Sequence, residues 1–393
     1  MLTLERQAAI TGVGMSAVGR RIADSGLSLT VDAALSAISD AGLKPADIDG
    51  IACWPGQRLG DSGSAPVSTL ELKDSLGLKL NWFAGGPEGP GQLASIINAA
   101  MAVATGQARH VLCFRTLKEG SARSENKSAT TVGGAAQYVS DKYQWLVPYG
   151  AISAANWTAM FAQRHMYEYG VTREQLAQVA LTFRKHAMLN PHAIYRKQLT
   201  EEDYLCARMI SAPLCLYDCD VPMDGATAVI VSHVDTAKDS PNGGLVIESA
   251  SGALYGPDSW DQREDLTTMA ASDAAQRLWS RTDFHPADVD FGQLYDGFSY
   301  YVLLWLEALG FCAKGESGKF VEGGNRISLG GQLPLNTGGG QLSAGRLHGF
   351  GLLHEACEQL WNRAGERQVS NATLGVVAVG GGPLASTILL RNF

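Results

Sequence analysis

No stretch of this chain holds the roughly 20 consecutive apolar residues that a membrane-spanning helix needs. Clustered positive charge is also missing. The 31 Lys and Arg face 39 Asp and Glu, for a net charge of −8, and no basic block occurs. That excludes a surface built for nucleic-acid phosphates or for an anionic membrane. Cysteine is scarce, odd in number at 7, and scattered. Only Cys215 and Cys219 lie close, in a CxxxC spacing without a second ligand pair, so buried structural thiols are expected and no metal site. The opening residues, MLTLERQAAITGVGMS, lack the charged-then-apolar layout of a secretion signal. A cytoplasmic, reduced protein is expected, in which the sequons at Asn126, Asn156 and Asn371 carry little weight. Charged residues make up only 18% against 46% apolar, the balance of a well-buried globular chain.

What is present is a repeat. Residues 28–49, SLTVDAALSAISDAGLKPADID, align without a gap on residues 269–290, MAASDAAQRLWSRTDFHPADVD. Asp32, Ala33, Ala34, Ser39, Pro45, Ala46, Asp47 and Asp49 meet Asp273, Ala274, Ala275, Ser280, Pro286, Ala287, Asp288 and Asp290. Each block precedes an apolar, strand-like run. Two copies of one α/β unit follow, which suits 393 residues. The halves are drawn at 1–235 and 236–393. In a duplicated fold, the seam between the copies is the place to look for chemistry.

Hydrophobic patterning predicts strands at 7–14, 47–54, 109–115, 244–252, 290–295 and 373–380. Helices are predicted over 28–42, 91–106, 269–281 and 348–362. Their alternation favours a parallel sheet covered by helices on both faces. Residues 120–220 are more polar and irregular, and read as a lobe inserted over the active site.

The duplicated βαβαβ unit, the inserted lobe and the late glycine turns together resemble the thiolase superfamily. The resemblance runs over essentially the whole chain. AAMAVATGQARHVLC resembles the helix and strand after the thiolase nucleophile. Cys219 to Ala226 resembles the close of the first half. Gly338-Gly339-Gly340-Gln341 and Gly380-Gly381-Gly382 resemble the two late glycine loops. The implied fold is a five-layered αβαβα arrangement. The departures bear on function: the nucleophile position falls on or beside Gly89, the late-loop His position on Arg346, and the proton-donor Cys position on Ala378. Without a nucleophile no covalent acyl intermediate forms. Leu294–Phe298, Leu306–Cys312 and Pro334–Leu342 are similar to the lipid-transfer-protein-type aldolases that shorten steroid side chains as CoA esters. That resemblance implies retro-aldol cleavage of a β-hydroxyacyl-CoA, with CoA entering as part of the substrate and no separate cofactor. It also implies a small OB-fold, zinc-ribbon protein in trans over a homodimer, giving a heterotetramer. A thiolase-type acyltransferase and a non-catalytic acyl-CoA-binding subunit are the alternatives.

The resemblance carries the acid–base role to Tyr295, at the end of a strand where doubly wound sheets expose catalytic groups. Arg346 stands where those aldolases carry a second Tyr. It is read as stabilising the enolate or alkoxide, as lowering the Tyr295 pKa, or as a structural ion pair. His348 is read as a donor to the thioester oxygen, as an acid/base, or as a helix cap, and His354 as a surface or core histidine. Gly339, Gly340 and Gly381 are candidates for a backbone oxyanion hole. Asp296 reads as the N-cap of the helix that follows, and Asp224 as structural. Arg184 and Lys185, with Arg196 and Lys197, are candidates for the CoA phosphates.

Overall fold

The computed structural model describes residues 3–57, 63–125 and 141–393. The sequon at Asn126 and the stretch 126–140 of the expected lobe lie outside the described residues. Eleven strands are described: β1 (Ala8–Met15), β2 (Gly50–Cys53), β3 (Trp82–Gly85), β4 (His110–Lys118), β5 (Met209–Ser211), β6 (Leu214–Cys215), β7 (Asp224–His233), β8 (Leu245–Ser251), β9 (Phe291–Leu294), β10 (Leu374–Gly380) and β11 (Ala385–Arg391). Nine of them run in the order β3-β2-β4-β7-β1-β8-β11-β10-β9. The junction between the halves is thin, with only Ala9–Val246 and Ile10–Leu245 paired across β1 and β8.

The order is a palindrome of the repeat. With β8, β9, β10 and β11 taken as counterparts of β1, β2, β4 and β7, each half places its first strand at the seam and the others outward in the same sequence. The counterpart of β3 is vestigial. Gly50 pairs in parallel with Trp82 in the first half, whereas in the second only an isolated parallel bridge, Gly292–Leu335, survives. The expected all-parallel sheet is corrected to a mixed one. Strands β2, β3 and β4 are parallel, as are β9 and β10, but β7 and β11 return antiparallel beside them. Both return strands are buried almost continuously on both faces, a pattern that carries no signal of direction.

The repeated residues explain their own repetition. Asp47 Oδ2 accepts from the Lys44 N–H at 2.8 Å, and Asp288 Oδ2 from the His285 N–H at 2.7 Å, closing the same short turn in each half. Asp49 accepts from the N–H groups of Arg109 and His110, and Asp290 from those of Thr373 and Leu374. Each carboxylate thus ties the start of β2 or β9 to its parallel neighbour. Hydrogen bonds to a charged acceptor contribute roughly 1.5–3 kcal/mol each.

Side chains alternate between layers along each strand. Val111 and Cys113 face the central core, while Leu112 and Phe114 face the outer helix Gly26–Asp40. Val377 and Val379 face the centre, while Val376 and Ala378 face the outer layer of the second half. The central layer holds two helices, Ala94–Ala104 and Phe350–Leu360, packed against both half-sheets. The first is Ala-rich, which allows close approach. It gives out at Thr105 before Gly106, whose φ of +74° suits glycine. Five layers result, and the two central helices start close together, a Cβ on Gly349 falling 3.3 Å from Gln92 Cβ.

Within the lobe region, helices Ala154–Tyr169 and Arg173–Met188 pack on the outer layer of the second half through Phe161, Leu176, Val179 and Phe183. No helix among the described residues is long and apolar enough to cross a membrane.

Candidate active site

The repeat register superimposes β2 on β9, so the first residue past each strand is Trp54 in one half and Tyr295 in the other. Both face the seam. The Tyr295 N–H donates to Ala378 O at 2.7 Å, continuing the β9–β10 pairing by one residue and fixing the phenol beyond the strand end. Its ring meets that of Tyr301 edge-on, with centroids 5.8 Å apart. Burial raises the Tyr295 pKa well above the usual phenol range, and the nearby Asp220, Tyr301 and Asp296 raise it further; the Gln341 amide opposes them. Among the described residues, both ends of that amide are buried without a partner inside hydrogen-bond distance.

Arg346 lies between two carboxylates. Its Nη2 contacts Glu119 Oε2 and its Nη1 lies 3.2 Å from Asp220 Oδ2. The guanidinium is thus engaged by both, and it is not among the main groups that shift Tyr295. Burial and the adjacent Arg115 pull Arg346 itself down to about 10, which leaves it charged at neutral pH. Asp220, named in the sequence only as part of a segment resemblance, is the residue that reading missed. Burial pushes its carboxyl up to about 8, against the pull of Arg123 and with the push of Asp296, while the direct Arg346 contact favours the ionised form.

His348 is not a helix cap. It has a φ of +45°, precedes the N-cap Gly349, and places Nδ1 2.8 Å from Arg115 Nη2. A guanidinium has only donors, so Nδ1 must accept and the ring proton resides on Nε2. Burial and the charges of Arg346 and Arg115 hold its pKa well below the usual value. His348 is therefore a neutral imidazole with one N–H left to donate. His354 is half-buried on the helix Phe350–Leu360, lines a cavity, and is pulled down to about 4 by burial.

Asp296 is also reassigned. Phe298 occupies the N-cap of the helix Ser299–Ala308, and Asp296 instead accepts from the N–H groups of Gln341 at 2.9 Å and Leu342 at 3.2 Å. It clamps the late glycine loop to the Tyr295 loop. A Cβ on Gly340, already at φ +58°, would fall 2.0 Å from Asp296 Oδ2, which explains the glycine. The oxyanion reading is corrected at two positions. The Gly339 N–H donates to Asn336 O at 2.8 Å and the Gly381 N–H to Leu384 O at 3.0 Å, so both serve their own turns. Asp224 accepts from Lys118, Ser121 and the Ile22 N–H, a structural tie.

At the nucleophile position, Gly89 has a φ of +150°, and an added Cβ would meet Trp54 and Ala94. No sulfur stands there. Cys53 and Cys113 lie within β2 and β4, both buried; burial raises Cys53 to about 11 and Cys113 well above the ordinary thiol value. Among the described residues no cluster of three or more His, Cys, Asp or Glu forms a metal site.

Two cavities flank the late loop. One, of about 1010 Å³, has the exposed cations Arg20, Arg123, Arg196, Lys197 and Arg208 on its walls and runs inward to Asp220 and Arg346. Arg184 lines it too, but is buried and engaged by Ser343 Oγ and Lys197 O, while Lys185 is exposed on the helix and does not line it. The other, of about 250 Å³, lies against Gln293, Gln341, Leu347 and His354.

The layers, the duplicated sheet and the seam site define a thiolase-type frame. The family described as "Thiolase C-terminal domain-like" matches residues 253–390. A steroid side-chain-cleaving aldolase of Thermomonospora curvata is 35% identical, with 99% of each chain covered. A 17-hydroxy-3-oxo-4-pregnene-20-carboxyl-CoA lyase of Mycobacterium tuberculosis is 34% identical over 91% of this chain and 92% of that one. The solved Ltp2-ChsH2(DUF35) aldolase superposes with a TM-score of 0.88 at 35% identity, covering 99% of each chain. The chain belongs to the thiolase superfamily. Within it, the chain falls in the lipid-transfer-protein-type aldolase branch.

Proposed function

We propose that this protein is a carbon–carbon lyase that cleaves a β-hydroxyacyl-CoA thioester by a retro-aldol reaction, with a steroid-like side chain as the acyl group. The single observation that carries this reading is a site where a buried strand-end tyrosine and a neutral imidazole donor remain while glycine stands at the nucleophile position. The aldolase relatives support it. The cation-walled cleft has the volume and charge for a CoA moiety, whose thioester end then reaches Asp220, Arg346 and the seam. There Tyr295 takes the β-hydroxyl proton, the Cα–Cβ bond breaks, and a carbonyl product leaves. The His348 Nε2–H stabilises the thioester enolate. A preorganised donor of this kind contributes on the order of 3 kcal/mol.

The partner named with the solved relative supports an assembly with a DUF35-type chain in trans; a homodimer of this subunit beneath it is part of the proposal. The reading is tested by incubating the protein, alone and with such a partner, with β-hydroxyacyl-CoA thioesters of small and steroid-sized acyl groups. A ketone or aldehyde and a shortened acyl-CoA are expected in stoichiometric amounts. Absence of both products across the series, with the partner present, overturns it.

A further inference from the structure

We propose that Asp220 is the proton acceptor behind Tyr295, a positioning residue through which the phenol takes the β-hydroxyl proton and later returns it to the thioester α-carbon. The proposal rests on the lyase reading above and deepens it.

A buried phenol cannot work as a base unaided. Its ordinary pKa is about 10, and here its surroundings raise it further. To take a proton from the substrate it must give its own to a neighbour. The backbone puts Asp220 in that place. Cys219 forms an antiparallel bridge with Phe298, and the Asp220 N–H donates to Gly297 O at 3.1 Å. The carboxylate is thereby anchored across from the loop that carries Tyr295, on the wall of the large cleft, with its side chain 8% exposed.

The charged and titratable groups around it come from every neighbouring element. Arg346 faces it from the late glycine loop, and Glu119 holds the other side of that guanidinium from the first residue of the helix Glu119–Ser124. Arg123 faces it from the helix Glu119–Ser124, Asp296 and Tyr295 from the loop after β9, and Cys219 from its own segment. Glu119 and Asp220 share Arg346, so taking up a proton on Asp220 relieves repulsion between two buried carboxylates. Its carboxyl, pushed up to about 8 by burial, is matched to proton exchange near neutral pH.

The step balances without any further reagent. The substrate O–H proton passes to Tyr295 Oη as the phenolic proton moves, through a water, to the Asp220 carboxylate. The O–H electron pair forms the new C=O, and the Cα–Cβ pair becomes the enolate. On return, the Asp220 proton travels back through Tyr295 to Cα as the enolate collapses to the thioester. Arg346, pairing the carboxylate before and after, keeps Asp220 from holding the proton permanently.

The experiment compares wild type, Asp220→Asn and Asp220→Glu as full-length chains with the partner, after circular dichroism has shown each folded. Cleavage of a β-hydroxyacyl-CoA is followed from pH 6 to about 9, within the range that the raised carboxyl would titrate. The wild-type kcat/KM is expected to rise with pH along an acidic limb. Asp220→Asn should lower kcat about 100-fold or more with little change in KM and lose that limb, and Asp220→Glu should recover both in part. A second readout needs no turnover. Alkaline absorbance titration, with the Tyr295→Phe curve subtracted, isolates Tyr295 ionisation, which should move to lower pH in Asp220→Asn. A wild type that cleaves no thioester sinks the lyase reading, and the titration then decides the Asp220–Tyr295 link on its own. An unchanged Tyr295 titration, or Asp220→Asn activity within about twofold of wild type with the limb intact, overturns the proposal. If Asp220→Asn does not fold, Asp220→Glu decides, since a carboxylate that relays protons must preserve the limb there.

Discussion

Replacing Arg346 with methionine is the perturbation whose size the structure sets most directly. The guanidinium bridges Glu119 and Asp220, with side-chain exposures of 16%, 14% and 8%. Methionine keeps much of the volume and removes the charge, leaving two carboxylates facing each other in a poorly solvated wall. Removing one partner of a buried ion pair costs about 3–5 kcal/mol. At roughly 2.1 cal/mol/K of unfolding entropy per residue, a 393-residue chain shifts its thermal midpoint by about 1.2 °C per kcal/mol, so a loss of roughly 4–6 °C is expected. The assay is thermal unfolding of wild type, Arg346→Met, Glu119→Gln and the double variant at pH 7. The double variant should lose less than the sum of the singles, with a coupling of about 0.5–3 kcal/mol. The same substitution raises the Asp220 pKa, because an opposing charge has gone, so any acidic limb in the rate profile should move to higher pH. A midpoint shift under about 2 °C, with strict additivity, would show that solvent screens the bridge and that Arg346 holds neither carboxylate.

Other consequences are open to separate checks. Tyr295→Phe should lower kcat by roughly 10²–10⁴ with little change in KM, read from initial rates of thioester cleavage; a loss of only a fewfold would remove Tyr295 from the chemistry. His348→Gln keeps a donor and should retain more activity than His348→Ala, measured as the ratio of their kcat/KM values; equal losses would rule out hydrogen-bond donation. Gly340→Ala forces a Cβ onto the Asp296 carboxylate at a left-handed position and should release the late loop, seen as faster amide exchange at Gln341 and Leu342. Asp49→Ala and Asp290→Ala should each cost about 1–3 kcal/mol in denaturant unfolding, since they hold equivalent junctions; a large cost in only one half would break the equivalence.

Much of the fold was legible because the repeat preserved the residues that tie strand to strand. Asp47, Asp49, Asp288 and Asp290 perform paired jobs, and their spacing carried the duplication into view. Strand direction was less legible. The return strands β7 and β11 are apolar on both faces, and such runs do not announce whether they lie parallel or antiparallel. The site divided in the same way. Tyr295 stood at a strand end that patterning could find. Asp220 did not, because its place beside the Tyr295 loop comes from the Cys219–Phe298 bridge, which joins segments 79 residues apart. Asp296 resembled a cap from its position ahead of an apolar helix, but the late loop, 45 residues downstream, claims its carboxylate. Gly339 and Gly381 were seen as glycine turns, yet where their N–H groups point depends on local closure that composition does not encode. Lys185 adjoins Arg184 in sequence but is exposed away from the cleft, since neighbours on a helix diverge by about 100°.

The central claim is a thiolase frame that turns over a CoA thioester without ever being acylated. Intact-mass spectrometry of the chain, quenched during steady turnover of a β-hydroxyacyl-CoA while the released carbonyl product is quantified, addresses it most directly. The chain should keep its unmodified mass as product accumulates. An acyl adduct that forms and decays at the turnover rate, on Cys53, Cys113 or any other side chain, would contradict it.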